Sequence, residues 1–549
     1  MRIMLFYRRT YKPNESVITK KRIIHCCLVL VLALQSCASV DKYNTQINTP
    51  RSVKDLKSDI DYTQHKLQKL HPDLYHYISK KDLDDKFDSL RSSITTPLTS
   101  NDFYFRMSPV IASIRQGHTQ INPLTKKLKS SEKKKVSTKG TTPLSLFDFE
   151  LFDNKLYITK NYSKDSSICA GTEVLTVNGT KPAELLNKYK PTFTSDGFNT
   201  TFINYRLAKG FPRYFYNENG LMDSIRCELR YNDSIRILVL RKPIKVTPSA
   251  IKKTKEQIAA AKKLQQEESK RKRLYGYDAL KRTYSKQLSF STKDSSIAVL
   301  KIADFVKGNY RKFYKNSFRK LDSLKIQTLV IDLRNNTGGA LRDVSNLYSY
   351  LADSSFRFVT KSEVSSKTSL WHTVSFKNIP LWQQAAQTIF IPFIIGADVY
   401  SFLATTKGKD GKYRFPFPES KLAHPKAGQF KGKVYVLING GSFSASSLLS
   451  SNLQGSRRAT FIGQETGGAY NGCVAGIMPV LTLPTSKLTV RFGLLVCQSP
   501  FQSKTDGHGI LPDKEITPTV QDRINGIDPE LDWILKEEKA LIKTNEPNK

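Results

Sequence analysis

The stretch KVYVLINGGSFSASSLLSSNL, residues 433 to 453, joins an apolar strand to a helix through a loop rich in glycine and serine. A second stretch of the same form, TLVIDLRNNTGGALRDVSNLYSYLA, occupies residues 328 to 352. Strands that alternate with helices are typical of α/β domains. Such turns place backbone N–H groups and helix amino termini beside the strand ends, where developing negative charge is best stabilised. The two stretches therefore predict an α/β catalytic region.

The chain before this region is expected to form two further parts. Residues 50 to 124 are predicted to be helical, because DLKSDIDYTQHKLQKL (55 to 70) spaces its leucine and isoleucine residues near helical intervals. Ser100 and Asn101 are the expected caps of a second helix. Residues 143 to 248 change to short β-like runs such as LYITKNY, with one helical piece, PAELLNKY. These runs predict a small β domain.

The charge of the chain is strongly basic, with a formal net charge of +39. Part of it lies in a Lys/Arg-rich helical stretch within residues 249 to 284. A polyanion-binding envelope protein is one reading of this charge. A solvated helical insertion is the more frequent meaning of such a run, and no signature of a nucleic-acid-binding module accompanies it. We therefore expect a basic helical insertion and no nucleic-acid partner.

The amino terminus resembles the signal peptide of a bacterial lipoprotein. Three basic residues precede the apolar run IIHCCLVLVLAL (23 to 34), which is too short to span a bilayer as a helix. LQSC (34 to 37) resembles a lipobox, so we expect removal of residues 1 to 36, acylation of Cys37 and a tether over 37 to 49. This implies a membrane anchor in the bacterial cell envelope, on the periplasmic face or at the outer membrane. A short buried helix or a plain signal peptide is the alternative.

Four ordered motifs resemble a family of serine peptidases that includes the carboxyl-terminal processing peptidases, the tricorn core proteases and retinoid-binding relatives. In chain order the motifs are DLRNNTGG (332 to 339), INGGSFSASS (438 to 447), FIGQETGG (461 to 468) and GHGILPD (507 to 513). The resemblance implies a multidomain α+β fold: the helical region, a PDZ-like domain over residues 143 to 248 and a crotonase/Clp-protease-like α/β catalytic domain over 285 to 535. Within the catalytic domain, residues 352 to 432 are a candidate lid insertion. Residues 536 to 549 would be a polar tail.

The PDZ-like assignment depends on ICAGTEVLTVNGTKPAELLNKY (168 to 189), which resembles the carboxylate-loop and helix region of PDZ domains. A small mixed β domain with glycine turns is the alternative.

By position in the family's motifs, Ser444 is implied to be the nucleophile, because it is the middle serine of SFSAS. The alternative is that this serine only caps the following helix. Backbone N–H groups of Ala445 and of the loop containing Gly338 and Gly339 would form the oxyanion hole, since glycine lets the backbone approach closely. The resemblance thus implies a serine endopeptidase or carboxyl-terminal processing peptidase that acts on peptide or protein substrates through an acyl-enzyme.

A serine nucleophile needs a general base. One branch of the family uses a lysine after the nucleophile, but GAY at 468 to 470 offers no basic residue there, which disfavours a Ser/Lys dyad. The other, tricorn-like branch takes a histidine from the helical region, and IRQGHTQI (114 to 121) resembles that element. His118 is therefore the expected base. His508 is the competing candidate.

The carboxylate that would orient the base is implied to be Asp506, where tricorn-like members have a glutamate. Glu465 is the alternative, and Asp513 is expected to shape a turn. The chain contains no HExxH motif and no paired CxxC motif, so we expect no metal and no other cofactor.

Cys473 and Cys497 flank two apolar runs that a turn-like PTS joins at 484 to 486. In an antiparallel hairpin centred on Thr485 the two cysteines would be opposite each other, close enough for a disulfide. Two buried free thiols are the alternative.

A catalytically weak or inactive binding protein of the same fold, retinoid-binding-like or peptide-binding, is the alternative function. Retinoid-binding relatives share the catalytic fold, and Ser447 stands where a glutamate is common in the family.

Overall fold

The computed structural model describes residues 40–127, 129, 142–241, 254–279, 281–291, 296–373 and 391–545. The predicted signal peptide and the predicted lipidation site Cys37 lie outside the described residues. The described residues form a mixed α/β fold of several parts, and this coarse prediction is confirmed.

Four helices and one short strand precede the first sheet: α1 Val40–Asn48, α2 Val53–Leu70, α3 Lys80–Ser93, α4 Ser100–Ala112 and β1 Gln120–Asn122. The predicted tether is thus helical over α1. Helix α2 begins after Ser52, whose side chain accepts the N–H of Asp55. Helix α4 is capped by Thr99, one residue before the expected caps. Such caps satisfy N–H groups that have no acceptor within the helix.

A five-stranded antiparallel sheet and two helices follow: β2 Phe147–Phe152, β3 Lys155–Asn161, β4 Thr172–Val177, α5 Pro182–Tyr189, α6 Thr201–Asn219, β5 Ser224–Tyr231 and β6 Ser234–Arg241. The strands lie in chain order across the sheet. Helix α6, which the sequence analysis missed, packs Phe211, Tyr214 and Phe215 into the core of this part. This buried aromatic face fixes the position of α6 against the sheet.

The predicted basic insertion is mainly one exposed helix, α7 Lys255–Tyr275. Thr254 and Gln257 form a capping box at its start, and Gly276 ends it in the left-handed conformation. A two-stranded ribbon, β7 Tyr277–Asp278 and β8 Thr283–Tyr284, leads into the next sheet.

The remaining strands are β9 Lys286–Phe290, β10 Ile297–Ile302, β11 Thr328–Asp332, β12 Ser362–Val364, β13 Thr406–Lys407, β14 Tyr413–Phe415, β15 Lys433–Ile438, β16 Thr460–Gly463, β17 Cys473–Ala475, β18 Val480–Thr482, β19 Thr489–Arg491, β20 Leu495–Cys497 and β21 Lys514–Glu515. The remaining helices are α8 Tyr310–Ser323, α9 Leu341–Tyr348, α10 Ile391–Ala404, α11 Ala445–Gly455, α12 Val520–Asn525 and α13 Pro529–Asn545.

The largest sheet has six strands in the order β21-β16-β15-β11-β10-β9. All neighbouring strands are parallel except the pair β9 and β10. Helix α8 crosses between β10 and β11, and α11 crosses between β15 and β16. The strands of the two quoted stretches, β11 and β15, are therefore adjacent and parallel. The loops that follow them lie at the same edge of the sheet.

Two small sheets connect distant parts of the chain. In the first, β1 pairs antiparallel with β19, and Gln120 is opposite Arg491. In the second, β17 pairs antiparallel with β20. Strand β1 begins just after His118. Its pairing with β19 therefore brings the helical region against the part of the chain that follows the nucleophile. One buried core spans both, as shown by residues such as Leu56, Phe103, Leu329, Val436 and Phe461.

The structure adds detail to two predicted segments, the polar tail and the candidate lid insertion. Part of the predicted polar tail belongs to helix α13, where Glu538 accepts hydrogen bonds from Lys433 and Tyr435 of β15. In the candidate lid insertion, α10 exposes apolar side chains, including 71% of Leu403. None of the helices within the described ranges combines the length and hydropathy needed to cross a membrane.

Candidate active site

Ser444 lies in the turn between β15 and α11. Its backbone has a φ of 59° and a ψ of −121°, a conformation that is rare for a residue with a side chain and is typical of functional sites. The side chain of Ser444 makes no capping hydrogen bond to α11. Ser442 and Ser446 are fully buried, whereas Ser444 is partly exposed. Among the three alternating serines, only Ser444 thus offers its hydroxyl to a substrate.

Gly338 packs directly against the turn that holds Ser444. Its φ is 91°, and a Cβ added there would lie 2.9 Å from the nitrogen of Ala445 and 3.0 Å from the Cβ of Ser444. This approach is closer than a side chain allows, so the position requires glycine.

The backbone donors of the site differ from the expected set in one member. The N–H of Gly338 donates to Asn336 Oδ1 at 2.9 Å, so it is not available to an oxyanion. Within the described ranges, the N–H groups of Ala445 and Gly339 donate to no protein acceptor. Ala445 is the first residue of α11, where N–H groups lack helical acceptors. We therefore assign the candidate oxyanion hole to Ala445 and Gly339 and correct the expectation for Gly338.

His118 lies in the short loop between α4 and β1, and its Nε2 is 2.9 Å from Ser444 Oγ. The preceding N–H, of Gly117, donates to Asp196 Oδ1 at 2.7 Å. The ring of His118 is 4.9 Å from that of Phe443, which stacks on Phe202 at 4.1 Å. The hydrogen bond and the aromatic contacts hold the imidazole toward the serine.

The pKa of His118 is lowered from 6.5 to about 4, first because burial disfavours the charged ring and then because Arg491 and Arg206 are cationic neighbours. The imidazole is therefore neutral at neutral pH. A neutral imidazole at hydrogen-bond distance from a serine can accept its proton.

The structure does not bring Asp506 to His118, which corrects the expected triad. The Asp506 carboxylate contacts His76 Nε2 at 2.6 Å and accepts from Asn471 Nδ2 at 3.0 Å. Its loop is fixed by the N–H of Ser503, which donates to the Asn471 side chain. The carboxylate consequently faces a separate cavity of about 800 Å³.

The alternative acid and the competing base contact each other instead. Glu465 accepts the N–H of Gly509 at 2.7 Å, and its Oε1 lies 3.3 Å from His508 Nδ1. Among the described residues, no carboxylate contacts the ring of His118. The described site is therefore a Ser–His pair without a third acidic member.

Asp196 is a site residue that the sequence analysis missed. It is only 1% exposed, and besides Gly117 it accepts the N–H of Ala469 at 3.4 Å. Burial raises the pKa of Asp196 to about 7. The carboxyl group thus joins the loop of the base to the loop that follows the nucleophile. The Asp-Gly turn at 196 to 197 was visible in the sequence, but nothing in it indicated a contact with the N–H of Gly117.

Cys473 and Cys497 are directly opposite each other in the β17 and β20 pair, in the register that the hairpin predicted. Both are nevertheless free thiols, so the expected disulfide is not formed. The Cys497 thiol donates to the carbonyl oxygen of Leu495 at 3.9 Å. Burial raises the pKa of both thiols. The two cysteines are thus paired in register but are not bonded through sulfur.

Comparison with known proteins connects this site to one family. Residues 296–516 match the model of Peptidase family S41. A carboxy-terminal-processing protease of Bartonella bacilliformis (strain ATCC 35685 / KC583 / Herrer 020/F12,63) is 35% identical over 95 residues, which span 17% of this chain and only 20% of that relative.

Two solved structures share the fold at low sequence identity. Mature CPAF is 14% identical with a TM-score of 0.56, covering 90% of this chain and 98% of that one. Mature CPAF complexed with lactacystin is 14% identical with a TM-score of 0.57, covering 90% and 99%. The family match includes Ser444, Ala445 and Gly339, the candidate nucleophile and oxyanion donors. The chain is therefore similar to peptidase family S41 over residues 296–516.

Proposed function

We propose that this protein is an active serine endopeptidase or carboxyl-terminal processing peptidase that hydrolyses peptide bonds through an acyl-enzyme on Ser444. The observation that carries the proposal is the 2.9 Å contact between His118 Nε2 and Ser444 Oγ within an S41 peptidase fold. Peptides and proteins are the proposed substrates.

In the proposed acylation step, the neutral imidazole of His118 accepts the hydroxyl proton while Ser444 Oγ attacks the peptide carbonyl carbon. The resulting oxyanion accepts hydrogen bonds from the N–H groups of Ala445 and Gly339. The imidazolium then donates its proton to the leaving amine, and the C–N bond breaks. In deacylation, His118 takes a proton from water while the water oxygen attacks the acyl carbon; the bond between that carbon and Ser444 Oγ then breaks, the imidazolium returns the proton to Ser444 Oγ, and the carboxylic acid product leaves.

The proposed mechanism uses a base without a carboxylate partner. Orientation of the imidazole would come instead from the Gly117 N–H bond to Asp196 and from the Phe443 ring. Asp196 is accordingly a positioning residue.

The finer domain assignments are part of the proposal. The antiparallel sheet β2 to β6 with helix α5 supports a PDZ-like peptide-binding domain, and the parallel sheet around Ser444 supports a crotonase/Clp-protease-like catalytic domain. The alternative of a catalytically weak binding protein gains no support from the site, since the nucleophile and base are within hydrogen-bond distance.

We further propose that the protein is a lipoprotein of the bacterial cell envelope, anchored through Cys37. The proposal depends on the signal-like run at 23 to 34 and the lipobox-like LQSC. Cys37→Ala is expected to release the protein from membranes. Fractions must be washed at high salt, because a chain of this charge adheres to anionic lipid. Retention of the variant after that wash contradicts the anchor.

A fluorophosphonate probe tests the peptidase proposal directly, because it labels an activated serine. We expect labelling of the wild type and its loss in Ser444→Ala. Ser446→Ala is the matched control, since its hydroxyl is buried and has no hydrogen-bond partner in the described structure. Absence of labelling in folded wild-type protein contradicts the proposal.

A further inference from the structure

Among the described residues, three arginines around the candidate site, Arg206, Arg213 and Arg491, have no carboxylate partner. Arg206 and Arg213 belong to α6, and Arg491 belongs to β19. Within the described parts of the chain, none of their guanidinium groups forms an ion pair. By contrast, the buried Arg334 pairs with three carboxylates, those of Asp332, Asp528 and Glu530.

Arg206 and Arg491 are partly buried, and the contacts that they make among the described residues include no anion. The Arg206 guanidinium lies 5.7 Å from the ring centre of Phe202 and 5.8 Å from that of Phe193. Arg491 Nη2 approaches the sulfur of Met478 at 3.1 Å. Burial lowers the pKa of Arg206, which shows that its charge is partly removed from water. Partly buried cations without an anion are costly, and a bound anion would relieve that cost.

A cavity of about 130 Å³ opens between Arg206 and Arg213. Its lining also includes Gly117, which precedes the base, and Phe202, which stacks on Phe443. A cavity needs roughly 15 Å³ to hold one water molecule, so this one has room for a carboxyl group and its methylene groups. The cavity therefore adjoins the catalytic pair.

Extending the proposed peptidase function, on which this inference depends, we propose that the cavity between Arg206 and Arg213 binds a carboxylate group of the peptide substrate. The carboxylate is that of an aspartate or glutamate side chain of the substrate. Guanidinium groups hold carboxylates through paired, charge-assisted hydrogen bonds, which are stronger than neutral ones.

Occupancy of this carboxylate subsite also acts on the catalytic base. Arg206 and Arg491 are among the causes that lower the pKa of His118. An anion beside Arg206 offsets this effect, so the pKa of His118 rises when the substrate is bound. A substrate with the carboxylate thus strengthens the base that cleaves it.

Peptide retention on Ser444→Ala protein tests the subsite without requiring catalysis. A random pool of acetylated and amidated heptapeptides, which have no terminal carboxylate, is passed over the protein at about 0.15 M salt, and retained peptides are sequenced. Arg206→Gln and Arg213→Gln are introduced in the same background. Arg226→Gln is the matched control, because Arg226 is exposed on β5, outside the site. A thermal melt of each variant shows that it is folded.

We expect enrichment of Asp and Glu at one fixed position. This preference should fall roughly tenfold in Arg206→Gln and Arg213→Gln, the size of one charge-assisted hydrogen bond, and persist in Arg226→Gln. Arg213 is exposed, so its variant serves if Arg206→Gln does not fold. Acid enrichment spread over all positions and equal in all variants reflects only the net charge of +39 and overturns the inference.

The wild type separates this inference from the peptidase proposal. Fluorophosphonate labelling without a position-specific preference rejects the carboxylate subsite alone. A preference without labelling rejects the peptidase proposal alone. For cleaved peptides that differ only in Glu or Gln at the selected position, the acid limb of kcat should lie at higher pH for Glu, and Arg206→Gln should remove the difference. Identical limbs overturn the coupling to His118.

Discussion

In the pH profile of activity, the acid limb should lie at an unusually low pH for an enzyme with a histidine base. The pKa of His118 is about 4 because of burial and of the cations Arg491 and Arg206. At pH 5.5 a histidine of ordinary pKa 6.5 is only about 10% neutral, whereas one of pKa 4 is about 97% neutral. Since only the neutral ring accepts the Ser444 proton, kcat/KM at pH 5.5 should stay near its neutral value.

The assay is the initial rate of peptide cleavage from pH 3.5 to 8, with circular dichroism at each pH to show that the protein is folded. This control is needed because the pKa of the buried His71 is also lowered to about 4. For both histidines, protonation favours the unfolded chain, so stability is lost as pH falls below 6.5. Arg491→Gln should move the limb to higher pH by removing one cation. A limb near 6.5 in folded wild type, unmoved by Arg491→Gln, would refute this account of the site.

Three further predictions concern positions around the site. Asp196→Ala should lower the free energy of unfolding by about 1 to 3 kcal/mol and lower kcat, because the buried N–H of Gly117 loses its acceptor. Asp506→Asn should change kcat less than about threefold. Equal effects of the two variants on kcat would contradict the assigned contacts. Gly338→Ala should abolish fluorophosphonate labelling, while Gly179→Ala, at a similar φ of 83° but with no atom within 4 Å of the added Cβ, should preserve it. Thiol counting on denatured, unreduced protein should find all four described cysteines free, and a count of two would show a disulfide.

The sequence indicated the parts of the site that lie in local motifs. When a strand, a glycine-rich loop and a helix are adjacent in sequence, the loop residues have few possible positions. This fixes where Ser444, Ala445 and Gly339 lie. The register of Cys473 with Cys497 was equally accessible, because a hairpin pairs residues symmetrically about its turn. Whether the two sulfur atoms bond to each other was not, since that depends on the direction of each side chain and not on the register alone.

The missed features depend on contacts between distant segments. The direction of the Asp506 carboxylate is set by Asn471 and His76, and the motif GHGILPD contains neither. Asp196 meets Gly117 across 79 residues, with no spacing rule to connect them. Helix α6, which contributes Arg206, includes Pro212 and many aromatic residues, so its periodicity is poor and its helix signal weak.

The acylation rate of His118→Ala tests the central claim most directly. Single-turnover labelling by a fluorophosphonate should slow at least about a hundredfold, since a positioned general base contributes 10² to 10⁴. Lys504→Ala, which changes a lysine in the loop beside Asp506, should label at the wild-type rate. Full activity of His118→Ala together with loss of activity in Lys504→Ala would contradict the Ser444–His118 pair. That result would support a Ser/Lys mechanism instead.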